Sequence, residues 1–222
     1  KNFSKNIHKI EKDYDFSIRQ TILNEARDLK LVASNYHNRA YNNPKLLIYN
    51  LKNSMNKLAA KIQLEGGARI EGVALIKPEQ LLGIKIDKVT QVEKGIIYTK
   101  EKGGKQGEVL VSLKTYAELE NYLSLNSKFK INRQDYYNDI KQAAIISKEV
   151  SEGSHGLRWN FAKRRMFEYG KADYTYSDSL QQVSYEMKHN RASITEHYLG
   201  GWFLFSLKKF LYYKNINLWF YK

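Results

Sequence analysis

The sequence predicts an α+β fold, mainly helical, with one small three-stranded antiparallel sheet set between helical halves. Two observations carry this. Apolar residues recur at three- and four-residue spacing through most of the chain. Between residues 82 and 113 that pattern gives way to short β-rich runs divided by Gly and Lys.

Taken in order, Ile18, Ile22, Ala26, Leu29 and Ala33 predict an amphipathic helix over 16–37. "YNNPK" breaks it, with Pro44 suited to a first helical turn, where its missing N–H costs nothing. Leu47, Leu51, Met55, Leu58 and Ile62 mark the next helix, which stops at Gly66-Gly67. "ARIEGVALI" is apolar and reads as helical. "GIKIDKV", "GIIYT" and "GEVLVSL" supply the three strands. Helices follow at about 115–125, 133–148, 155–169 and 178–189, the last striped by Leu180, Val183 and Met187. The domain is expected to run over 1–199, with 1–43 as an N-terminal helical part and 200–222 as a C-terminal aromatic arm.

The 222 residues suit one domain, or one domain plus an arm, and 42% hydrophobic content can fill a sizeable core. Beginning without methionine, the chain is open to being a fragment of a longer protein. The absence of cysteine excludes a disulfide frame, a thiolate metal site and a cysteine nucleophile, and it fits a reducing cytoplasm. No acidic cluster or His pair has metal-ligand spacing, so neither a metal nor a cofactor is expected. "WFLFSLKKFLYY" is the longest apolar stretch, too short to span a bilayer and interrupted by Lys208-Lys209, so no membrane is expected. Lys and Arg number 37 against 23 Asp and Glu, a net charge of +14 spread along the chain. A folded domain this basic points to a polyanion, whether DNA, RNA or an anionic membrane surface.

Residues able to handle a phosphodiester recur in order. Arg69 follows a glycine break in "GGARIEGVALI", and "EKGGKQGEVLV" forms a glycine hairpin presenting Lys102 and Lys105. "SHGLRWNFA" places His155 and Arg158 three apart, on one helical face. His189 ends the following helix, and Tyr198 lies nine residues beyond it in "MKHNRASITEHYLG".

In this order the motifs resemble the tyrosine recombinase (phage integrase) family over roughly residues 44–199. "HGLRWNFA" is similar to the family's His-x-Leu-Arg-His-x-Phe-Ala box. "MKHNRASITEHYLG" is similar to its Leu-Gly-His followed by a tyrosine nine residues on. "GGARIEGVALI" and "EKGGKQGEVLV" resemble its Thr-Gly-Leu-Arg box and its Gly-Lys-Gly-x-Lys hairpin. Two departures stand out. The family commonly has an acidic residue three positions after the first arginine, where this chain has Gly72, and a glycine before the last histidine, where it has Lys188.

The resemblance implies site-specific cutting and rejoining of DNA through a 3′-phosphotyrosyl intermediate, a transesterification that needs no ATP. It assigns Tyr198 as nucleophile and Arg69 and Arg158 as clamps on the phosphate. His155 becomes the assisting base or a phosphate ligand, and His189 a donor to the phosphate. Lys102 becomes the general acid for the leaving 5′-oxygen, with Lys105 in reserve. The chemistry suits those residue types. A pentavalent phosphorus gathers charge on its non-bridging oxygens, and a guanidinium is always charged and grips them with a fixed fork of donors. A tyrosine near pKa 10 must shed its proton as it attacks. Trp159 reads as core packing and His197 as structural or exposed, and "KRR" at 163–165 reads equally as a solvated face or a phosphate grip. The alternatives are a type IB topoisomerase and a catalytically silent DNA-binding protein. Integration and transposition of mobile elements are among the family's roles. The aromatic arm either folds back on its own domain or, as the resemblance implies, docks on a neighbouring subunit, assembling a homo-tetramer on paired sites.

Overall fold

A computed structural model describes residues 38–189 and 191–199. The chain divides into two units, Lys1–His37 and Asn38–Lys222, and every described residue belongs to the second. The helix expected over 16–37 and the arm after Leu199 lie outside the described residues.

The elements alternate as the patterning predicts. Helix α1 (Pro44–Tyr49) is opened by Asn43, whose side chain accepts from Leu46 N, and has Pro44 in its first turn. Helix α2 (Ser54–Gly66) is capped by Asn53, which accepts from Met55 N and Asn56 N. The continuous helix expected from Leu47 to Ile62 is therefore two helices. The break is held by Asp139, which accepts from the backbone N–H of both Lys52 and Asn53 at 2.9 and 3.1 Å. Gly67 ends α2 at φ 65°, a left-handed conformation that favours glycine.

"ARIEGVALI" corrects the helical expectation further. Only Ile70–Val73 (α3) is helical, and Leu75–Ile76 (β1) pairs antiparallel with Phe129–Lys130 (β5). The β-branched and aromatic residues here satisfy their backbone groups across strands and bury Ile76 and Phe129 completely. The main sheet has the expected three antiparallel strands, in order β2 (Leu81–Ile86), β3 (Glu93–Lys100), β4 (Gln106–Ser112). The β3–β4 pairing runs in register from Lys94 opposite Ser112 to Lys100 opposite Gln106.

The helices that follow are α4 (Leu113–Leu125), α5 (Arg133–Ile146), α6 (His155–Lys171), α7 (Tyr176–Glu186) and α8 (Ala192–Leu199). Helix α7 stops before the expected residue 189, because Lys188 takes a left-handed backbone at φ 60°. His189 therefore sits on a loop and does not end a helix.

Two buried apolar clusters result. One unites α1, α2, the sheet, α4 and α5 with Leu157; the other unites α6, α7 and α8 around Trp159, Phe161, Met166 and Val183. Leu157 belongs to the first and Trp159 to the second, so the residue between them, Arg158, is fixed by both.

Candidate active site

Most of the candidate side chains sit at or beside breaks in regular structure, while Arg158 and Tyr198 lie within helices. Arg69 precedes α3 on extended backbone, just after the Gly67 turn. Lys102 begins a tight turn between β3 and β4 in which Gly103 and Gly104 both take positive φ, of 78° and 71°. His155 starts α6, and Arg158 lies one turn further on. A cavity of about 390 Å³ is lined by Arg69, Lys102, Lys105, His155 and Arg158, together with Glu71 and Ser154.

Arg158 is 1% exposed. One of its terminal nitrogens donates to the Gly67 carbonyl and the other to the Met187 carbonyl at 3.2 Å. The ends of α2 and α7 thus hold one guanidinium. Its Nε is buried without a hydrogen-bond partner, which leaves a donor in hand. Burial pushes its pKa below the usual arginine range, opposed by Tyr198 and Glu101.

His189 gathers the cations. Arg69 Nη2 lies 3.1 Å and Arg158 Nη2 3.5 Å from its Nε2, and Lys105 Nζ lies 3.4 Å from its Nδ1. Guanidinium has no acceptor, so Nε2 must offer its lone pair and the ring proton belongs on Nδ1. The Lys105 ammonium then meets a donor with a donor, an arrangement that an anionic oxygen would satisfy. Burial, then Arg69 and Arg158, push the His189 pKa down to about 3. Burial and Arg158 push His155 down to about 4. Both imidazoles are neutral near pH 7.

Tyr198 is 4% exposed. Its ring centroid lies 5.4 Å from that of His155, 6.1 Å from that of His189 and 5.9 Å from Arg158 Cζ. Trp159 packs against it at 5.4 Å and against His197 at 5.3 Å; Trp159 lies in the core as expected, and His197 is exposed. The fold therefore brings Arg69, Arg158, His189 and Tyr198 together with His155 and Lys105, and places Lys102 on the same cavity.

Two features escaped sequence reading. Glu101, whose side chain is fully buried, pairs with Arg69 at 2.7 Å and with Lys188 at 3.1 Å. The one signal for it was the missing acid at Gly72. The "KRR" segment is only partly a solvated face, since Arg165 is buried while the Arg164 side chain stays 40% exposed. Lys163 binds Asn38, Arg164 donates to the carbonyls of Leu64 and Glu65, and Arg165 is buried against Asp87 and Glu186. Among the described residues no group of three His, Cys, Asp or Glu gathers to hold a metal ion, and no helix is long and apolar enough to cross a membrane.

No family model and no curated protein matches the chain. Solved structures do match. XerA recombinase superposes with a TM-score of 0.53 at 15% identity, over 96% of this chain and 80% of that one. XerH site-specific recombinase, in a post-cleavage complex with palindromic difH substrate, gives 0.52 at 17% identity over 70% of this chain and 46% of its own. A lambda integrase dimer bound to a COC′ core site gives 0.52 at 13% identity over 70% and 45%.

The fold is that of the tyrosine recombinases.

The chain spans about half the length of XerH and lambda integrase. The recombinase fold accounts for the distances above: residues from five separate segments meet because α6, α7 and α8 pack together beside the β3–β4 hairpin.

Proposed function

We propose that this domain is the catalytic domain of a site-specific DNA recombinase that cuts and rejoins double-stranded DNA through Tyr198. The observation that carries the reading is the meeting of Arg69, Arg158 and Lys105 on His189, with Tyr198 packed behind them. Such a group suits one scissile phosphate and the charge that develops on it.

Tyr198 attacks phosphorus and forms the phosphotyrosyl bond as the 5′-oxygen leaves. Its proton passes to neutral His155, whose ring is its neighbour. Arg69 and Arg158 hold the non-bridging oxygens, each worth on the order of 10²–10³ in rate as a preorganised donor. His189 donates Nδ1–H to the phosphate. Lys102, which lines the cavity on its glycine turn, protonates the leaving oxygen, with Lys105 in reserve beside His189. Attack by a partner strand's 5′-hydroxyl reverses these steps and releases Tyr198. In this reading the aromatic arm beyond Leu199 docks on a neighbouring subunit and assembles the homo-tetramer on paired sites.

The test is a nicked duplex carrying the protein's own site. Wild-type protein should trap a covalent adduct that survives a denaturing gel, and Tyr198→Phe should bind the same duplex and trap none. An adduct that persists in Tyr198→Phe sinks the assignment. With two marked duplexes, recombinant product separates a recombinase from a topoisomerase, which would only relax its substrate.

A further inference from the structure

Gly72 and Lys188, the two departures from the family's pattern, lie far apart in sequence, yet both touch one carboxylate. Glu101 follows β3, immediately before the hairpin lysine, and its side chain is fully buried. Its Oε2 pairs with Arg69 Nη1 at 2.7 Å and lies 3.9 Å from Arg158 Nη1. Its Oε1 accepts from the Arg69 backbone N–H and from Lys188 Nζ, both at 3.1 Å. Its own N–H donates to the Lys105 carbonyl at 2.6 Å, tying the base of the hairpin turn.

The space it fills is the space Gly72 leaves. A Cβ on Gly72 would meet Glu101 Cγ at 2.8 Å and Oε1 at 3.4 Å. A side chain at 72 and the carboxylate of 101 compete for one place. Lys188 is equally particular. It holds a left-handed backbone at φ 60°, which favours glycine, and its side chain reaches past Gly107 to the carboxylate. A lysine in that conformation carries backbone strain, which the pairing of its ammonium with the buried acid offsets.

We propose that Glu101 is the positioning residue of this site. From the hairpin it supplies the support for the first arginine that family members draw from three positions after it, with Lys188 as its counterion. The proposal rests on the recombinase reading above. Arg69, Arg158 and Lys188 surround this carboxylate, so the four groups carry a net +2 and keep charge free for a phosphate. Because Glu101 also anchors the turn bearing Lys102, it couples the clamp to the general acid.

The experiment measures single-turnover cleavage of a saturating nicked duplex, with DNA affinity and thermal melting recorded beside it. Glu101→Gln should slow cleavage on the order of 10–100-fold while affinity stays within about threefold. Moving the acid back should restore function: Glu101→Ala/Gly72→Asp should cleave at least about tenfold faster than Glu101→Ala. Gly72→Asp alone should gain nothing, because its Cβ meets Glu101. Should Glu101→Ala fail to fold, Glu101→Gln/Lys188→Gly carries the test, since removing the orphaned ammonium should recover cleavage over Glu101→Gln. Wild-type cleavage by Glu101→Gln overturns the proposal, as does absence of recovery in the folded double variants. If wild-type protein forms no Tyr198 adduct, the recombinase reading fails; if it does and the variants cleave like it, only the role of Glu101 fails.

Discussion

Lys102 and Lys105 sit three residues apart on one turn, yet the fold gives them different surroundings. Lys105 Nζ already lies 3.4 Å from His189, and Lys102 lines the cavity on a turn with two left-handed glycines. If Lys102 is the general acid, its loss should be repaired by a leaving group that needs no proton. We expect Lys102→Ala to be slow on ordinary DNA, by about 10²–10⁴-fold, and largely rescued when sulfur replaces the 5′-bridging oxygen. Lys105→Ala should lose less and gain less from sulfur. Comparing single-turnover rates on the two substrates decides it, and the reverse pattern would move the role to Lys105. Histidine takes a supporting part. With His155 held at about 4 and His189 at about 3 by burial and neighbouring guanidiniums, neither imidazole adds positive charge to the site near pH 7.

Among the elements, α6 does most of the assembly. Its first two turns carry His155 and Arg158, and its later turns lock it in place through Arg165. That guanidinium is 5% exposed and pairs with Asp87 of the β2–β3 turn at 2.7 Å and with Glu186 of α7 at 2.7 Å. Burial alone would raise the Asp87 pKa, but Arg165 and the Thr90 hydroxyl outweigh it and hold it at about 2. One side chain thus joins the sheet, α6 and α7. Removing it takes the arginine from Asp87, which is buried, and from Glu186, and leaves Glu168 with Arg164. Arg165→Ala should therefore destabilise the domain by about 3–5 kcal/mol, read from chemical denaturation. Its cleavage rate per folded molecule should change little, since Arg165 touches none of the residues proposed to hold the phosphate. A change below about 1 kcal/mol would show that the network is too well hydrated to matter.

At the scale of the whole molecule, charge governs association. The chain carries +14, and its described cations are only partly paired within the fold. Binding to duplex DNA should be dominated by phosphate contacts and counterion release. If about 6–10 phosphates are neutralised, affinity should fall roughly 10³–10⁵-fold between 50 and 200 mM salt, linearly in log–log form. Fluorescence anisotropy across a salt series measures the slope, and a flat response argues against DNA as the main partner.

Local rules made much of this legible without coordinates. The three strands, Pro44 in the first turn of α1, the Gly67 stop and the periodic helices after residue 113 all follow from steric preference and apolar spacing, which act over a few residues. The order of Arg69, Lys102, His155, Arg158, His189 and Tyr198 was likewise readable, because each sits in a short motif. Local rules failed where a distant residue decided the outcome. Asp139 splits the α1–α2 stretch, and Phe129 turns Leu75–Ile76 into a strand. Asp87 and Glu186 draw Arg165 inward from what read as a charged face. The sharpest case is Gly72. The sequence alone determined that the expected acid is missing there; only tertiary packing decided that Glu101 replaces it, with Lys188 as counterion. Periodicity reports which face of an element is apolar, whereas the pairing of buried charges depends on which elements the whole chain brings within a few ångströms.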